Sequence, residues 1–200
     1  IYNLIERKIV MEFIKAKTIL TKVKYGADWY GIDYNMNLYK GCTHGCIYCD
    51  SRSNCYHIDN FDIVRGKENA LYILEKELSK KSRGIIGIGA MSDTYNPLEQ
   101  QYEQTRKALE LIAKYGFGVS IDTKSDLILR DIELLEKIKL NNNVIVKFTI
   151  TTPNDKLSKI IEPNVCVSSR RLKAIKILND NGIFAGIMMN PVLPFITDNE

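Results

Sequence analysis

The chain has 200 residues, of which 45% are hydrophobic and 26% are charged, with a formal net charge of +4. This is ordinary globular composition, and the length suits one domain with a sizeable core. It contains no apolar run near the roughly 20 residues of a membrane helix, and charges interrupt the apolar N-terminal residues, unlike a signal peptide. We therefore expect a cytoplasmic protein with no membrane partner.

Helical patterns alternate with short apolar runs from residue 37 onward. The runs predict strands over 37–41, 84–90, 118–123, 144–151 and 183–189, and the patterns predict helices over 67–82, 97–115, 126–139 and 169–181. Asn96 is a predicted N-cap, with Pro97 in the first helical position. This alternation is typical of an α/β fold with a parallel sheet covered by helices. The chain is too short for an eight-fold barrel, so an open sheet or a partial barrel remains.

Polar segments follow the predicted strands where each strand ends. They are residues 92–94 (SDT), 124–126 (KSD), 151–155 (TTPND) and 190–194 (NPVLP). Because the carboxyl ends of parallel strands meet at one rim, ligands collect there. The mildly basic charge leaves nucleic acid open as a partner, but no dense basic tract requires it. We interpret Arg170-Arg171 as a solvated helix end.

Three of the five cysteines are spaced Cys-x3-Cys-x2-Cys directly after the first predicted strand, at Cys42, Cys46 and Cys49. An odd, clustered set argues against a secreted disulfide scaffold and favours metal or redox chemistry. One interpretation is a zinc site, with a fourth ligand from His44, Cys55 or His57. The other is a [4Fe-4S] cluster held by three thiolates, which leaves one iron open to another ligand. The spacing alone leaves both interpretations open.

This cysteine spacing, with Tyr48 before the last cysteine, resembles the signature of the radical S-adenosylmethionine (SAM) superfamily. The segments YKGCTHGCIYC, SDTYNPLE, TKSDLILRDIELL, TITT, IEP and GIFAGIMMNPVLP are similar to its spore photoproduct lyase-like, or DNA repair photolyase-like, branch. The resemblance runs from about residue 33 to the end. It implies an N-terminal extension over 1–30 and a core domain over 31–200 that is incomplete at its C-terminus. The first methionine is Met11, so we expect residues 1–10 to lie upstream of the natural start.

The resemblance implies a partial (β/α)6 TIM-like barrel, truncated before its last strand. It also implies that Cys42, Cys46 and Cys49 hold a [4Fe-4S] cluster whose open iron binds SAM. Reductive cleavage of SAM would yield methionine and a 5′-deoxyadenosyl radical, which abstracts hydrogen from an unidentified substrate. Such chemistry implies a reducing electron donor of the flavodoxin or ferredoxin type.

Other positions match the family's SAM-binding positions, one residue at a time. Tyr48 and Met188 match positions near the adenine, and Ser92 and Asp93 match the grip on the SAM amino group. Lys124 suits the SAM carboxylate as a point charge. Thr149 or Thr151 would reach the ribose or the carboxylate. The alternatives are ordinary core packing for Tyr48 and Met188 and a helix cap for the Ser-Asp pair.

No catalytic residue is assigned, but Cys55 and Tyr95 are candidate hydrogen donors. Cys55 as a plain thiol and Tyr95 as a packing residue are the alternatives. Spore photoproduct lyase returns hydrogen through a cysteine near SAM, in the region where this chain has Met91. Three functions remain open: a radical SAM enzyme with an unidentified substrate, DNA lesion repair, and a non-catalytic module stabilised by zinc.

Overall fold

The computed structural model describes residues 10–24 and 31–198. The parts of the predicted N-terminal extension at 1–9 and 25–30 lie outside these ranges. The strands are β1 (Glu12–Ile14), β2 (Leu20–Lys22), β3 (Tyr34–Met36), β4 (Tyr39–Lys40), β5 (Arg65–Lys67), β6 (Ile85–Ile88), β7 (Gly118–Thr123), β8 (Val144–Thr149) and β9 (Phe184–Met188). The helices are α1 (Ala70–Leu78), α2 (Glu99–Tyr102), α3 (Gln104–Tyr115), α4 (Ile132–Lys139), α5 (Asp155–Ile161) and α6 (Ser168–Asp180).

The main sheet has six strands in the order β2-β3-β6-β7-β8-β9. Five of them, β3 and β6 to β9, run parallel, and β2 is antiparallel to β3. The predicted α/β class with a parallel sheet is therefore confirmed. Within the described ranges the sheet is open, with β2 and β9 as its edges.

Apolar side chains of this sheet and of the helices against it form the core. Val119, Ile121 and Val146 of the central strands are completely buried together with Leu109 of α3 and Leu135 of α4. Burying each such side chain contributes about 1.5–3 kcal/mol. The core therefore holds the helices on the sheet while the carboxyl ends of the strands stay available for polar loops. No helix in the described residues is long and apolar enough to cross a membrane.

The predicted strand over 37–41 contains β4, but its assignment as the first strand of the main parallel sheet is wrong. Tyr34–Met36 is the strand that pairs in parallel with β6, through Tyr34 opposite Ile86. Tyr39–Lys40 instead joins a separate three-stranded sheet of order β1-β5-β4. Alternating buried residues continue through both short strands, so the apolar pattern does not mark where one sheet ends and the other begins.

The predicted helix over 97–115 is interrupted. The backbone of Glu103 is left-handed, with φ 52°, and it separates α2 from α3. The buried Glu99 carboxylate accepts hydrogen bonds from the N–H groups of Thr105 (2.9 Å) and Arg106 (3.2 Å), and so caps the start of α3. The predicted Asn96 cap accepts from Leu98 N–H at 3.0 Å, one turn earlier.

Two further differences concern helices. The predicted helix over 126–139 begins as a 3-10 helix, Asp126–Asp131, before α4. The short helix α5 was not predicted, although Asn154 caps it by accepting hydrogen bonds from the N–H groups of Lys156 and Leu157. Helix α5 matters for the site because its last turn contacts the cysteine loop.

Candidate functional site

The loop that carries the three cysteines leaves the small sheet directly after β4. Gly41 makes the turn, with φ +87°, and a Cβ placed on it would lie 2.4 Å from the carbonyl oxygen of Ile63. Cys42 N–H donates to the carbonyl of Phe61 at 2.8 Å. Only glycine fits so tight a turn, and it sends the loop toward the carboxyl edge of the main sheet.

The end of α5 and the segment after it hold the other side of the loop. Ile47 N–H donates to the carbonyl of Ile161 at 2.9 Å, and Asn164 N–H donates to the carbonyl of His44 at 3.2 Å. The Asn164 side-chain amide also donates to the carbonyl of Thr43 at 2.9 Å. The cysteine loop is therefore held on one side by the nearby Phe61 and on the other by the segment around the end of α5, up to 121 residues downstream.

The three cysteines line one cavity of about 530 Å³. Its volume lies within the roughly 300–1,000 Å³ of small-molecule sites. Eight of the predicted site residues share its wall: Cys42, Cys46, Tyr48, Cys49, Asp93, Lys124, Thr149 and Met188. They come from the cysteine loop and from the ends of β6 to β9, as expected for the carboxyl rim of a parallel sheet.

Four predicted residues do not line this cavity. Ser92 and Thr151 are buried beside the rim, and the Thr151 hydroxyl has no hydrogen-bond partner in the described part of the chain. Cys55 is exposed, and its thiol donates to the Ser53 hydroxyl at 3.3 Å. Tyr95 lines a second cavity of about 650 Å³, and its hydroxyl donates to Asp131 at 3.2 Å.

Burial dominates the acid–base properties of the loop thiols. It raises the pKa of Cys42 to about 12, with a further contribution from the negative charge of Asp93. It also raises the pKa of Cys46. Because the thiolate is the metal-binding form, binding a metal centre here must release the protons of these thiols.

The side chains that line the cavity decide which metal or cluster the site could hold. Across residues 10–24 and 31–198, no group of three or more His, Cys, Asp or Glu side chains is arranged to hold a single metal ion. Cys42, Cys46 and Cys49 nevertheless face one shared cavity large enough for a bulkier group. Soft thiolates select iron–sulfur clusters, zinc and Cu(I). The residues therefore fit a cluster held by three cysteines beside a small-molecule ligand.

Asp93 ties three loops of the rim together. Its Oδ1 accepts hydrogen bonds from the Thr123 hydroxyl (2.8 Å) and from Tyr95 N–H (2.9 Å). Its Oδ2 accepts from Lys124 N–H at 2.7 Å and lies 3.5 Å from Nδ1 of His44 in the cysteine loop. Both oxygens are thus engaged within the protein, so Asp93 holds the ends of β6 and β7 against the loop.

Lys124 and Tyr48 meet on the cavity wall. The Lys124 ammonium nitrogen lies 5.7 Å from the centre of the Tyr48 ring. On its other side, the Tyr48 hydroxyl donates to the Glu162 carboxylate. Burial and the negative charge of Glu162 hold the pKa of Tyr48 far above its usual value, so this hydroxyl remains a donor.

The interpretation of Arg171 as a solvated helix end is wrong. Its side chain is completely buried and forms an ion pair with Glu162 at 2.5 Å. It also donates to the carbonyls of Thr149 (2.9 Å) and Cys166 (2.7 Å). Sequence reasoning missed both residues as parts of the site, although the IEP segment that contains Glu162 belonged to the resemblance. Arg170 is the exposed member of the pair, and it contacts Asp126.

Comparison with known proteins identifies the superfamily to which this chain belongs. The family model for the radical SAM superfamily matches residues 36–200. An uncharacterized protein of Methanocaldococcus jannaschii is 34% identical over 196 residues, which cover 96% of this chain and 71% of that protein. The chain therefore belongs to the radical SAM superfamily, as the cysteine spacing indicated.

Solved structures agree on the fold. Spore photoproduct lyase complexed with dinucleoside spore photoproduct superposes with a TM-score of 0.67 at 16% identity, over 91% of this chain and 52% of that chain. A mutant of the same lyase with bound AdoMet and dinucleoside spore photoproduct gives 0.66 at 17% identity, over 90% and 50%. At such identities the likeness shows the fold alone. The chain spans about half the length of these lyase chains.

Proposed function

We propose that this chain is the core of a radical SAM enzyme. In this proposal Cys42, Cys46 and Cys49 hold a [4Fe-4S] cluster, and SAM binds beside it in the same cavity. The main support for this proposal is that the three thiols share one cavity wall with side chains from the ends of β6 to β9. The chemistry that the bound cofactors supply is reductive cleavage of SAM and removal of a hydrogen atom from a substrate.

The protein's own residues contribute position, charge and a dry environment. Lys124 places a cation on the cavity wall, where it suits the carboxylate of SAM. The Asp93 carboxylate holds the backbone of Lys124 by accepting a hydrogen bond from its N–H group. Tyr48 and Met188 offer flat and apolar surfaces suited to an adenine ring. Thr149 is a further polar group on the wall. Cys42 and Cys46 are buried and so shielded from water, whereas Cys49 is partly exposed.

The proposal leaves the substrate class open. Spore photoproduct lyase is described with a dinucleoside spore photoproduct, but only its fold is shared at this level of identity. Among the described cavity residues, Met91 lies at the end of β6, and no cysteine besides the three of the loop lines the wall. We therefore propose hydrogen abstraction without assigning lesion repair. A reducing flavodoxin- or ferredoxin-type partner and a cytoplasmic location belong to the same proposal.

The test is anaerobic reconstitution of the purified chain with iron and sulfide, followed by SAM and dithionite. We expect the parent chain to bind iron and form 5′-deoxyadenosine, and Cys49→Ala to form none, because one of three ligands is lost. If the parent chain bound iron but formed no 5′-deoxyadenosine, the same assay would be repeated on a longer chain. Tightly held zinc with no iron would instead support the zinc-stabilised module and contradict the proposal.

Cys55→Ser provides the matched control. This thiol is exposed and does not line the cavity, so we expect the variant to keep the parent's iron content and product yield within about twofold, as for a surface substitution. Iron content and 5′-deoxyadenosine are measured side by side with Cys49→Ala. A loss of iron in Cys55→Ser would mean that this cysteine, and not only the three of the loop, is a ligand.

A further inference from the structure

Glu162 and Arg171 form a buried ion pair directly behind the cavity wall. Both side chains have a relative exposure of 0%, and their charged atoms are 2.5 Å apart. Removing two charges from water is costly, and a pair is tolerated only where further hydrogen bonds satisfy it. The partners of these further hydrogen bonds therefore indicate what the pair is for.

The further hydrogen bonds reach two walls of the cavity. Glu162 accepts from the Tyr48 hydroxyl, and Tyr48 lies between two of the loop cysteines. Arg171 donates to the carbonyl of Thr149, the last residue of β8, at 2.9 Å. Tyr48 and Thr149 both line the cavity. A single ion pair thus links the cysteine loop to the end of a central strand.

A second contact extends this link to the end of β7. Arg171 donates to the carbonyl of Cys166 at 2.7 Å, and the Cys166 thiol donates to the carbonyl of Lys124 at 3.2 Å. The ammonium group of Lys124 lies over the Tyr48 ring at 5.7 Å. The aromatic ring is therefore held on one side by a cation and at its hydroxyl by a buried carboxylate.

We propose that Glu162 and Arg171 are positioning residues that set the place of Tyr48, and with it the cysteine loop, relative to the ends of β7 and β8. This inference rests on the proposed function and deepens it, because it assigns the geometry of the cofactor cavity to two residues that do not line it. Outer groups that orient metal ligands affect affinity or activity by about 10–100-fold when they are changed. A purely structural ion pair would affect stability without that selective effect.

The first experiment compares Glu162→Gln, Tyr48→Phe and the double variant in the reconstituted chain. Tyr48→Phe removes only the hydroxyl and leaves the ion pair intact. We expect each single variant to weaken SAM binding by about tenfold, with a changed electron paramagnetic resonance signal on SAM addition. The double variant should be no worse than either single variant, because both break the same link. Effects that multiply would overturn the proposal.

Glu77→Gln is the matched control for lost stability. The Glu77 carboxylate accepts hydrogen bonds from the N–H groups of Ile19 (3.0 Å) and Leu20 (2.7 Å), on elements that do not line the cavity. We expect this variant to lower the melting temperature while the affinity for SAM stays at the parent value. A loss of SAM affinity in Glu77→Gln equal to that in Glu162→Gln, at the same melting temperature, would reduce the ion pair to a structural role.

A second readout uses the iron-free, reduced chain and so separates this inference from the proposed function. Iodoacetamide labelling of Cys46 is followed by mass spectrometry, with exposed Cys55 as the internal standard. We expect Glu162→Gln and Tyr48→Phe to speed the labelling of buried Cys46 severalfold, and Glu77→Gln to leave it unchanged. Unchanged labelling in both site variants would overturn the positioning role, even if the parent chain cleaves SAM. Faster labelling in the two site variants, together with a parent chain that binds no SAM, would support the positioning role and reject the proposed function.

Discussion

We expect Gly89→Ala to prevent this chain from reaching a stable folded state, because there is no room at this position for one added methyl group. Gly89 follows β6 with φ +99°, and a Cβ placed on it would lie 2.0 Å from the carbonyl oxygen of Asp122 in β7. The obstacle is backbone of a central strand, which cannot rotate away. We expect a destabilisation above about 4 kcal/mol, in the range of the most disruptive core changes. Soluble yield and thermal unfolding by circular dichroism provide the measurement.

Gly186→Ala is the matched control for this prediction. Gly186 lies in β9, and a Cβ placed on it would meet nothing within 4 Å. The same chemical change should therefore alter the free energy of unfolding by less than about 1 kcal/mol. If Gly89→Ala unfolded at the parent's temperature, the close approach of residues 89 and 122 described here would be wrong.

Asp93→Asn should have the second large effect. One carboxylate oxygen accepts from Lys124 N–H, and the other accepts from Tyr95 N–H and the Thr123 hydroxyl. An asparagine side chain must turn its NH₂ group toward one of these donor sets, whichever way it is oriented. Because Asp93 is buried, we expect a loss of about 2–4 kcal/mol in the free energy of unfolding, measured by denaturant titration of the iron-free chain.

The control for this prediction is an exposed aspartate. Asp62 forms an ion pair with Arg52 at 2.6 Å, and its side chain is 68% exposed. Surface pairs of this kind contribute about 0–1 kcal/mol, so Asp62→Asn should unfold close to the parent. Equal losses in the two variants would show that the buried hydrogen bonds of Asp93 do not hold the rim together.

Much of the fold could be predicted because the central strands β6 and β7 are largely buried on both faces, and the edge strand β9 keeps an apolar run although Phe184 and Ile187 are exposed. The predicted strands over 84–90, 118–123, 144–151 and 183–189 correspond to β6, β7, β8 and β9. Continuous apolar runs of this kind carry a strong signal. The first strand was misplaced because Tyr34–Met36 and Tyr39–Lys40 are both short and partly apolar, and their partners in two different sheets are distant in sequence.

The cysteine spacing predicted the family, but the sequence did not reveal which charged side chains are buried. Arg170 and Arg171 are adjacent and chemically identical, yet one is exposed and the other has no exposure at all. The difference arises because α6 turns Arg171 toward Glu162, a residue on another segment. In the same way, the break at Glu103 depends on Glu99 capping the next helix, which a continuous apolar stripe does not reveal.

The cysteine loop has a consequence for the order of assembly during synthesis. Its anchors lie far downstream, since Asn164 contacts Thr43 across 121 residues of chain. At about 5–20 residues per second, ribosomes need roughly 6 to 24 s to make that stretch. Until then the loop lacks this anchor and has only contacts with nearby segments, such as the hydrogen bond from Cys42 N–H to the carbonyl of Phe61. The contacts from the segment after α5 can therefore form only after four parallel strands of the main sheet, β3, β6, β7 and β8, have been made.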